Sequence, residues 1–478
     1  MAVIGRRAGA ARTTAIADER TGGVVVLLYL VGVVLSERPT VELLGLNLTP
    51  IRMLLLVVFI PAFVTLCKIR DLRLQAFDWL IIFFAAWLLA GLLVNNGPER
   101  AFKYGGSLAL EVLGGYLIAR AYVRTPSQFG RTVRWYVWLV AIIGAFAIPE
   151  ALFDARIFDF LKTAVPEDHF ALPADDNNYI RFGLRRAAVT FDHPILYGAF
   201  CATSFGLAWY VYINNPVRWI VLCAILSSAF LSVSSAALLA CALAGGFIVW
   251  EKLTRFIRYR TAITLSVVAA VLIVLQVMAN RSLLAVILPF VSLNHWTAYY
   301  RLLIWEYATA NISASPLFGI GLNDWERPAW MPPSVDSFWL VVALTGGFPA
   351  VTALVVAVVL LLARVHVRRG FVEATERWQT RFGWTVAVLA LCMQALTTHY
   401  WGAMHSFFFF VLGLGAWMSD SKKGLMPKAR LEGRTTSRVR IWQPPSTIRQ
   451  LRADCPSDDP AAATTPVGVA TPTNPTLT

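Results

Sequence analysis

Three arginines, Arg181, Arg185 and Arg186, crowd into one short polar stretch that closes on Asp192-His193-Pro194. A fourth, Arg301, precedes Trp305 and Glu306 in a second polar stretch. A guanidinium is always charged and grips two phosphate oxygens at once. A pair of them suits a diphosphate, above all one that is leaving. Charge grows on it as its glycosidic bond breaks, and fixed cations stabilise that charge without a metal ion. The competing readings are contacts to lipid headgroups, or salt bridges to Asp168, Asp175, Asp176 and Asp192. A transfer of this kind also needs a proton acceptor. The candidates are Asp336, where an apolar run begins, and His193, His295, His399 and His405. Each has a plainer alternative. Asp336 can cap a helix, and interfacial histidines can belong to an aromatic belt with Tyr400 and Trp401.

The elements that must carry these residues are set by composition. Apolar residues make up 57% of the 478 and charged residues only 15%. Soluble domains run at roughly 45–50% and 25%, so lipid must take up the surplus. Twelve apolar segments lie at about 22–36, 50–67, 76–94, 104–123, 134–153, 193–213, 217–231, 233–250, 261–280, 336–363, 382–399 and 403–418. The runs are continuous, which excludes a β-barrel with its apolar/polar alternation. The expected fold is therefore an all-α polytopic membrane protein of about twelve transmembrane helices.

The chain carries a net charge of +14, which in a membrane protein is a question of sides before it is one of nucleic acid. With the N-terminus (residues 1–21) inside, the basic residues gather on that side at nearly every turn. The positive-inside rule then puts both ends in the cytoplasm. Two outside loops are long, about 154–192 and 281–335, and hold the arginines named above. Long loops more often carry function than packing. Residues 419–478 are basic and then Pro/Thr/Ala-rich, the composition of a disordered cytoplasmic tail.

Other chemistry is poorly represented. Cys67, Cys201, Cys223, Cys241, Cys392 and Cys455 lack metal-ligand spacing. There is no P-loop, dinucleotide fingerprint, zinc motif or acidic metal cluster, so neither metal nor cofactor is expected. Glu111 lies in mid-span and is expected to pair with a neighbouring span. Arg52 opens the second span, where it can snorkel outward.

Two segments and the topology resemble the O-antigen ligase/O-antigen polymerase superfamily of bacterial surface-polysaccharide synthesis, over about residues 22–418. The resemblance rests on Arg186 through Pro194, on Arg301…Trp305, and on Ser315-Pro-Leu-Phe-Gly-Ile-Gly321, which is similar to the family's Pro-Leu-Phe-Gly-x-Gly signature. It implies a GT-C-like glycosyltransferase of the inner membrane. Its donor would be an undecaprenyl-diphosphate-linked oligosaccharide held by Arg186, or adjacent Arg185, and Arg301. Arg181, His193, Trp305, His399 and His405 would line the substrate site. A chain-length regulator and a flippase would be partners, and nucleic acid would not. Ser235 stands where members often have an arginine. Val335-Asp336-Ser337 stands where ligases carry His-Asn-Ser, so the ligase base is missing. That departure shifts the expectation from ligase to polymerase, with Asp336 as substitute base and His399 and His405 as rivals. From a different class, a lipid-linked oligosaccharide flippase would need its cations inside the spans with short loops on both sides.

Overall fold

The structure, a computed structural model, describes residues 21–35, 41–43, 46–69, 72–158, 179–257, 263, 295–367 and 374–420. The expected ninth segment, apart from Ile263, and the expected tail after Asp420 lie outside the described residues, as do Asp168, Asp175 and Asp176.

The described chain is mostly helical. α1 is Thr21–Leu35. It is followed by a short hairpin, β1 (Val41–Leu43) with β2 (Leu46–Leu48), then α2 (Pro50–Cys67), α3 (Ala76–Arg100), α4 (Gly106–Tyr122) and α5 (Pro126–Phe153). A second hairpin, β3 (Ile180–Arg181) with β4 (Leu184–Arg185), leads to α6 (Pro194–Val211), α7 (Arg218–Leu231) and α8 (Ser235–Thr254). α9 (His295–Ala314), α10 (Phe338–Val367), α11 (Ala374–Gln394) and α12 (Gly402–Ala416) complete it. Among the described residues, seven helical stretches are long and apolar enough to cross a membrane, α3 and α4 counting as one. The surface agrees with that. Val57, Ile60, Phe102, Trp138 and Ile220 are each more than 60% exposed, and lipid tolerates such a surface where water does not.

Helix starts follow local rules. α2 and α5 open with Thr-Pro: Thr49 Oγ1 accepts from Arg52 N at 3.4 Å, and Thr125 Oγ1 from Gln128 N at 3.2 Å. The hydroxyl satisfies an orphan N–H, and Pro at N1 has no N–H to lose. α3 and α4 are joined by a π-helical turn, Ala101–Gly105, and kinked at Gly97 with φ +78°. They fold back on each other, so that Asp78 near the start of α3 meets Arg120 near the end of α4. α4 also packs closely on α12. A Cβ on Gly115 would lie 2.4 Å from the Ser406 carbonyl oxygen, and one on Gly413 would lie 2.5 Å from that of Tyr116.

One expectation is corrected. The stretch 281–335 is not simply a loop, because it contains the 20-residue helix α9. Arg301, Ile304, Ala308 and Ile312 are buried at helical spacing. With Trp325, Met331 and Val335 the apolar members form a satellite core against the first turns of α10. Trp305 packs at the edge of that core.

The Pro316–Gly321 segment plugs a break in α10. Gly347 there has φ +70° and interrupts the helix. The freed backbone groups are taken by the segment: Ile320 N donates to Leu344 O at 2.7 Å and Phe348 N to Pro316 O at 2.8 Å. From α3, Trp87 Nε1 donates to Leu317 O at 3.1 Å and to Gly346 O at 3.0 Å, and its ring stacks on Phe318 at 5.1 Å. Irregular backbone inside a membrane bundle is tolerable only when so satisfied.

This contact generates a prediction. Gly319 and Gly183 both have positive φ, but a Cβ on Gly319 would sit 2.1 Å from Leu344 O, whereas Gly183 has open space. Gly319→Ala is expected to abolish the monodisperse peak of the detergent-extracted protein. Gly183→Ala should cost only the backbone strain of about 1 kcal/mol. Equal behaviour of the two variants in size-exclusion chromatography would refute the plug.

Candidate functional site

The described contacts put one set of helix ends together: the starts of α2, α4, α6, α8, α10 and α12 and the finishes of α3, α5, α7 and α11. The chemistry-bearing residues collect there. Each guanidinium is placed by backbone. The β3–β4 hairpin turns through Phe182 and Gly183, both at positive φ, and registers Arg181 opposite Leu184 and Ile180 opposite Arg185. Arg186 N then donates to Tyr179 O at 2.6 Å, and Ala187 N to Leu231 O at 2.9 Å. Arg186 is 3% exposed. Its Nε reaches Ser232 O at 3.3 Å, while its Nη2 is buried with no hydrogen-bond partner. Arg301, from α9, is 6% exposed, and its Nε and Nη1 are likewise buried without partners.

Asp336 lies within electrostatic reach of both. It is half-buried, and its carboxylate acts electrostatically on Arg181, Arg186 and Arg301. Burial, then the positive charge of Arg181, pushes the Arg186 guanidinium down to about 9. Burial lowers Arg301 and Arg181 too, and Asp336 opposes it in both. Three cations thus lie within electrostatic reach of one carboxylate, and Arg186 and Arg301 are nearly withdrawn from solvent. Arg185 is not part of this group. It pairs with Asp154 at 2.9 Å and lies over the Tyr179 ring.

Asp336 does not cap α10. The cap is Ser337, whose Oγ accepts from Leu340 N at 3.4 Å and donates to Ala395 O at 3.2 Å. Phe338 N, the first helical amide, is held by Ala395 O and Thr398 O. These bonds fix the chain at the mouth of α10 and leave the Asp336 carboxylate to the arginines.

The loop that carries Arg186 is held by a residue with no role in the sequence reading, Glu150. Its two carboxylate oxygens accept from Ala188 N at 3.1 Å and Val189 N at 2.8 Å. Val189 has φ +55°, a conformation a β-branched residue adopts only when its surroundings compel it. The available signal was the cost of a Glu near the end of an apolar run.

Beside the arginines lies a cleft of about 40 Å³ lined by Arg52, Glu111, Thr345, His399, Trp401 and His405, among others. It has room for a few waters. Arg52 does not snorkel outward: its Nε donates to Glu111 Oε1 at 2.9 Å. Glu111 Oε2 meets His405 Nδ1 at 3.0 Å, so Glu111 joins two other helices. The cleft and the arginine group are joined through rings. His193 lies within electrostatic reach of Arg186 and Arg181 and 6.0 Å from Trp401, which is 5.7 Å from His399. His193 also caps α6, its Nδ1 accepting from Ile195 N at 3.1 Å. Burial, then the charges of Arg186 and Arg181, pushes it down to about 3. It is therefore neutral at neutral pH, with Nδ1 accepting from Ile195 N and the proton on Nε2. The site thus unites Arg181, Arg186, Arg301, Asp336 and His193, with His399 and His405 in the adjoining cleft. Arg185 and Trp305 are engaged elsewhere.

No protein-family model and no curated protein matches this chain.

Two predictions come from this geometry. Glu150→Ala leaves two buried amides without an acceptor, each worth about 1–3 kcal/mol. It should lower the thermal midpoint by several degrees and expose the 179–193 loop to protease, and Glu150→Gln should do about half as much. The second concerns acid. His193 has its folded value below the ordinary 6.5. Its stabilising effect is therefore complete above about pH 6.5 and is lost as pH falls towards 3. His193→Asn keeps a capping side chain but does not titrate, so its unfolding midpoint should fall less between pH 6.5 and 4. An unchanged slope would show that the proton is taken up elsewhere.

Proposed function

We propose that this chain is a membrane glycosyltransferase of the O-antigen ligase/O-antigen polymerase superfamily. In this reading it polymerises undecaprenyl-diphosphate-linked oligosaccharide repeat units into a surface polysaccharide on the periplasmic face. The observation that carries the reading is the pair Arg186 and Arg301. They are buried guanidiniums with unanswered N–H groups, drawn from two distant parts of the chain to one carboxylate. Such an arrangement is incomplete without an anion, and a diphosphate supplies bidentate partners for both.

The step is a substitution at the sugar's anomeric carbon. A hydroxyl oxygen of the acceptor repeat unit forms the new glycosidic bond. The bond from the anomeric carbon to the diphosphate oxygen breaks, and its electron pair stays on the diphosphate. Arg186 and Arg301, with Arg181, stabilise that growing charge. The hydroxyl proton passes to Asp336, the carboxylate nearest the cations, with His399 and His405 of the cleft on the acceptor side.

Twelve spans, a GT-C-like arrangement and two cytoplasmic ends belong to the same reading. The parity of the described helix ends supports it, since every helix that contributes to the site does so from one end. Polymerase is favoured over ligase because Val335, at the position of the ligase histidine, is fully buried in the satellite core. The grouping of the cations at one end of the bundle, rather than along a path through it, speaks against a flippase.

Arg301→Ala should reduce polymer yield by about 10²–10³. Arg301→Lys should also fall well below wild type, because the bidentate fork is lost. Since Ser337 holds the helix cap, Asp336→Asn leaves the fold intact and is expected to stop chain extension. Normal polymer length and yield from Arg301→Ala at matched expression would remove the donor site. For the orientation, a cysteine placed at Asn323 should react with an impermeant maleimide from the periplasmic side.

A further inference from the structure

The opposite end of the bundle holds a second basic group, unconnected with the arginine site. Arg218 is the first residue of α7, at the end of the tight turn from α6. Its Nη1 donates to Ile213 O at 2.8 Å, which fixes the guanidinium beside two indoles. The Cζ lies 4.3 Å from the centre of the Trp209 ring and 4.9 Å from that of Trp219. Lys252, near the end of α8, brings its Nζ to 4.7 Å from the same Trp209 ring. Two cations therefore converge on one indole. The ring attracts each of them, but they repel each other, and a neutral π-face cannot cancel the net charge.

Among the described residues, no carboxylate forms an ion pair with either cation. The acid adjacent in sequence, Glu251, is buried at 3% exposure, whereas Lys252 is exposed. Around the cations the surface is apolar. Val217 with Trp219 and Ile220 at the start of α7, and Val249 and Leu253 of α8 with Phe256 just beyond it, are all 45–82% exposed. A free anion would have no use for that surface. A molecule with a negative head and hydrocarbon tails would use both parts, and an exposed Trp beside basic residues is where such heads lie.

We propose that Arg218 and Lys252, gathered on Trp209, bind the phosphate of an anionic phospholipid whose acyl chains lie along the apolar faces of α7 and α8. The ligand is a net-negative lipid rather than a zwitterionic one, because two cations with no ion-pair partner among the described residues favour a headgroup that brings net negative charge. The Arg218 guanidinium contributes two ways: its Nη1 closes the α6–α7 turn and its Nη2 is offered to the headgroup, Nε being buried. Lys252 takes no part in the turn and serves the headgroup alone.

That difference decides the test. The purified full-length protein in neutral detergent is titrated with phosphatidylglycerol, with phosphatidylcholine of the same chains, and with sodium phosphate. The thermal midpoint and lipid retention in native mass spectrometry are followed. Phosphatidylglycerol is expected to raise the midpoint and remain bound, phosphatidylcholine to do so far less, and sodium phosphate not at all. Lys252→Gln should keep the lipid-free midpoint and bind phosphatidylglycerol about fivefold more weakly, as befits one interfacial cation. Arg218→Gln/Lys252→Gln should lose the preference for the anionic lipid. Equal effects of the two lipids, or undiminished phosphatidylglycerol binding by Lys252→Gln, would overturn the proposal. So would a sodium phosphate shift equal to that of the lipid, which would reassign the group to free anions.

Discussion

Glu111 and Arg120 stand on α4 about 13 Å apart along its axis, and each is only 1% exposed. A charge in that position costs several kcal/mol unless another part of the chain answers it. The neighbours of α4 are accordingly those that do. Arg52 from the start of α2 and His405 from the start of α12 close on Glu111. At the other end, Arg120 holds both oxygens of Asp420 at 2.7 and 2.8 Å and reaches Asp78 of α3 at 3.3 Å. Arg124 adds a bond to Asp420 at 3.1 Å, and Tyr116 donates to Asp78. The glycine faces of α4 and α12 allow them to approach, but the charges fix their register. The cleft beside His399 and His405 exists because Glu111 holds its walls at that register.

The same constraint governs the irregular backbone. α10 is broken at Gly347, and the Pro316–Gly321 segment supplies the partners the break removes. The loop from Tyr179 to His193 is answered by the α7–α8 turn and by Glu150. Both devices act on the same place. The first holds α10 together behind its opening turns, where Ser337 and the Phe338 amide bond Ala395 and so fix Asp336. The second fixes Arg186. Residues some 150 positions apart are thereby held in one site by hydrogen bonds that make no contact with a ligand.

Much of this was legible in the sequence, for definite reasons. Continuous apolar runs gave the described spans, because 20 uncharged residues have few alternatives. The arginine stretch and Arg301 stood out because basic residues are scarce on that side of the charge pattern. What was not legible depended on partners. α9 escaped notice because it is too polar for an apolar run, although Arg301, Ile304, Ala308 and Ile312 mark one helical face. Arg52 read as a snorkelling residue because nothing local shows that Glu111, 59 residues later, faces it. Asp336 read as a base with a cap as the plainer alternative, because Asp favours that position, yet Ser337 was adjacent and equally suited, and only the contact with Ala395 gives the cap to Ser337. The Pro-Leu-Phe-Gly signature carried no hint that its backbone repairs another helix.

The two ends of α4 also show what an unsatisfied group means in this molecule. Arg120 is as deeply buried as any arginine in the described chain, and two carboxylates answer it. Arg186 and Arg301 are nearly as buried, and between them three nitrogens remain without a partner. Glu150, which holds the loop of Arg186, accepts from the amides of Ala188 and Val189, while the Arg186 side chain is given the Ser232 carbonyl. The carboxylate holds the loop in a strained conformation and leaves the arginine exposed to its like-charged neighbours. Desolvated, repelling cations lose more free energy on meeting an anion than hydrated ones do. Glu150 therefore fixes the position of Arg186 without neutralising it, which leaves the guanidinium repelled by Arg181 and Arg301.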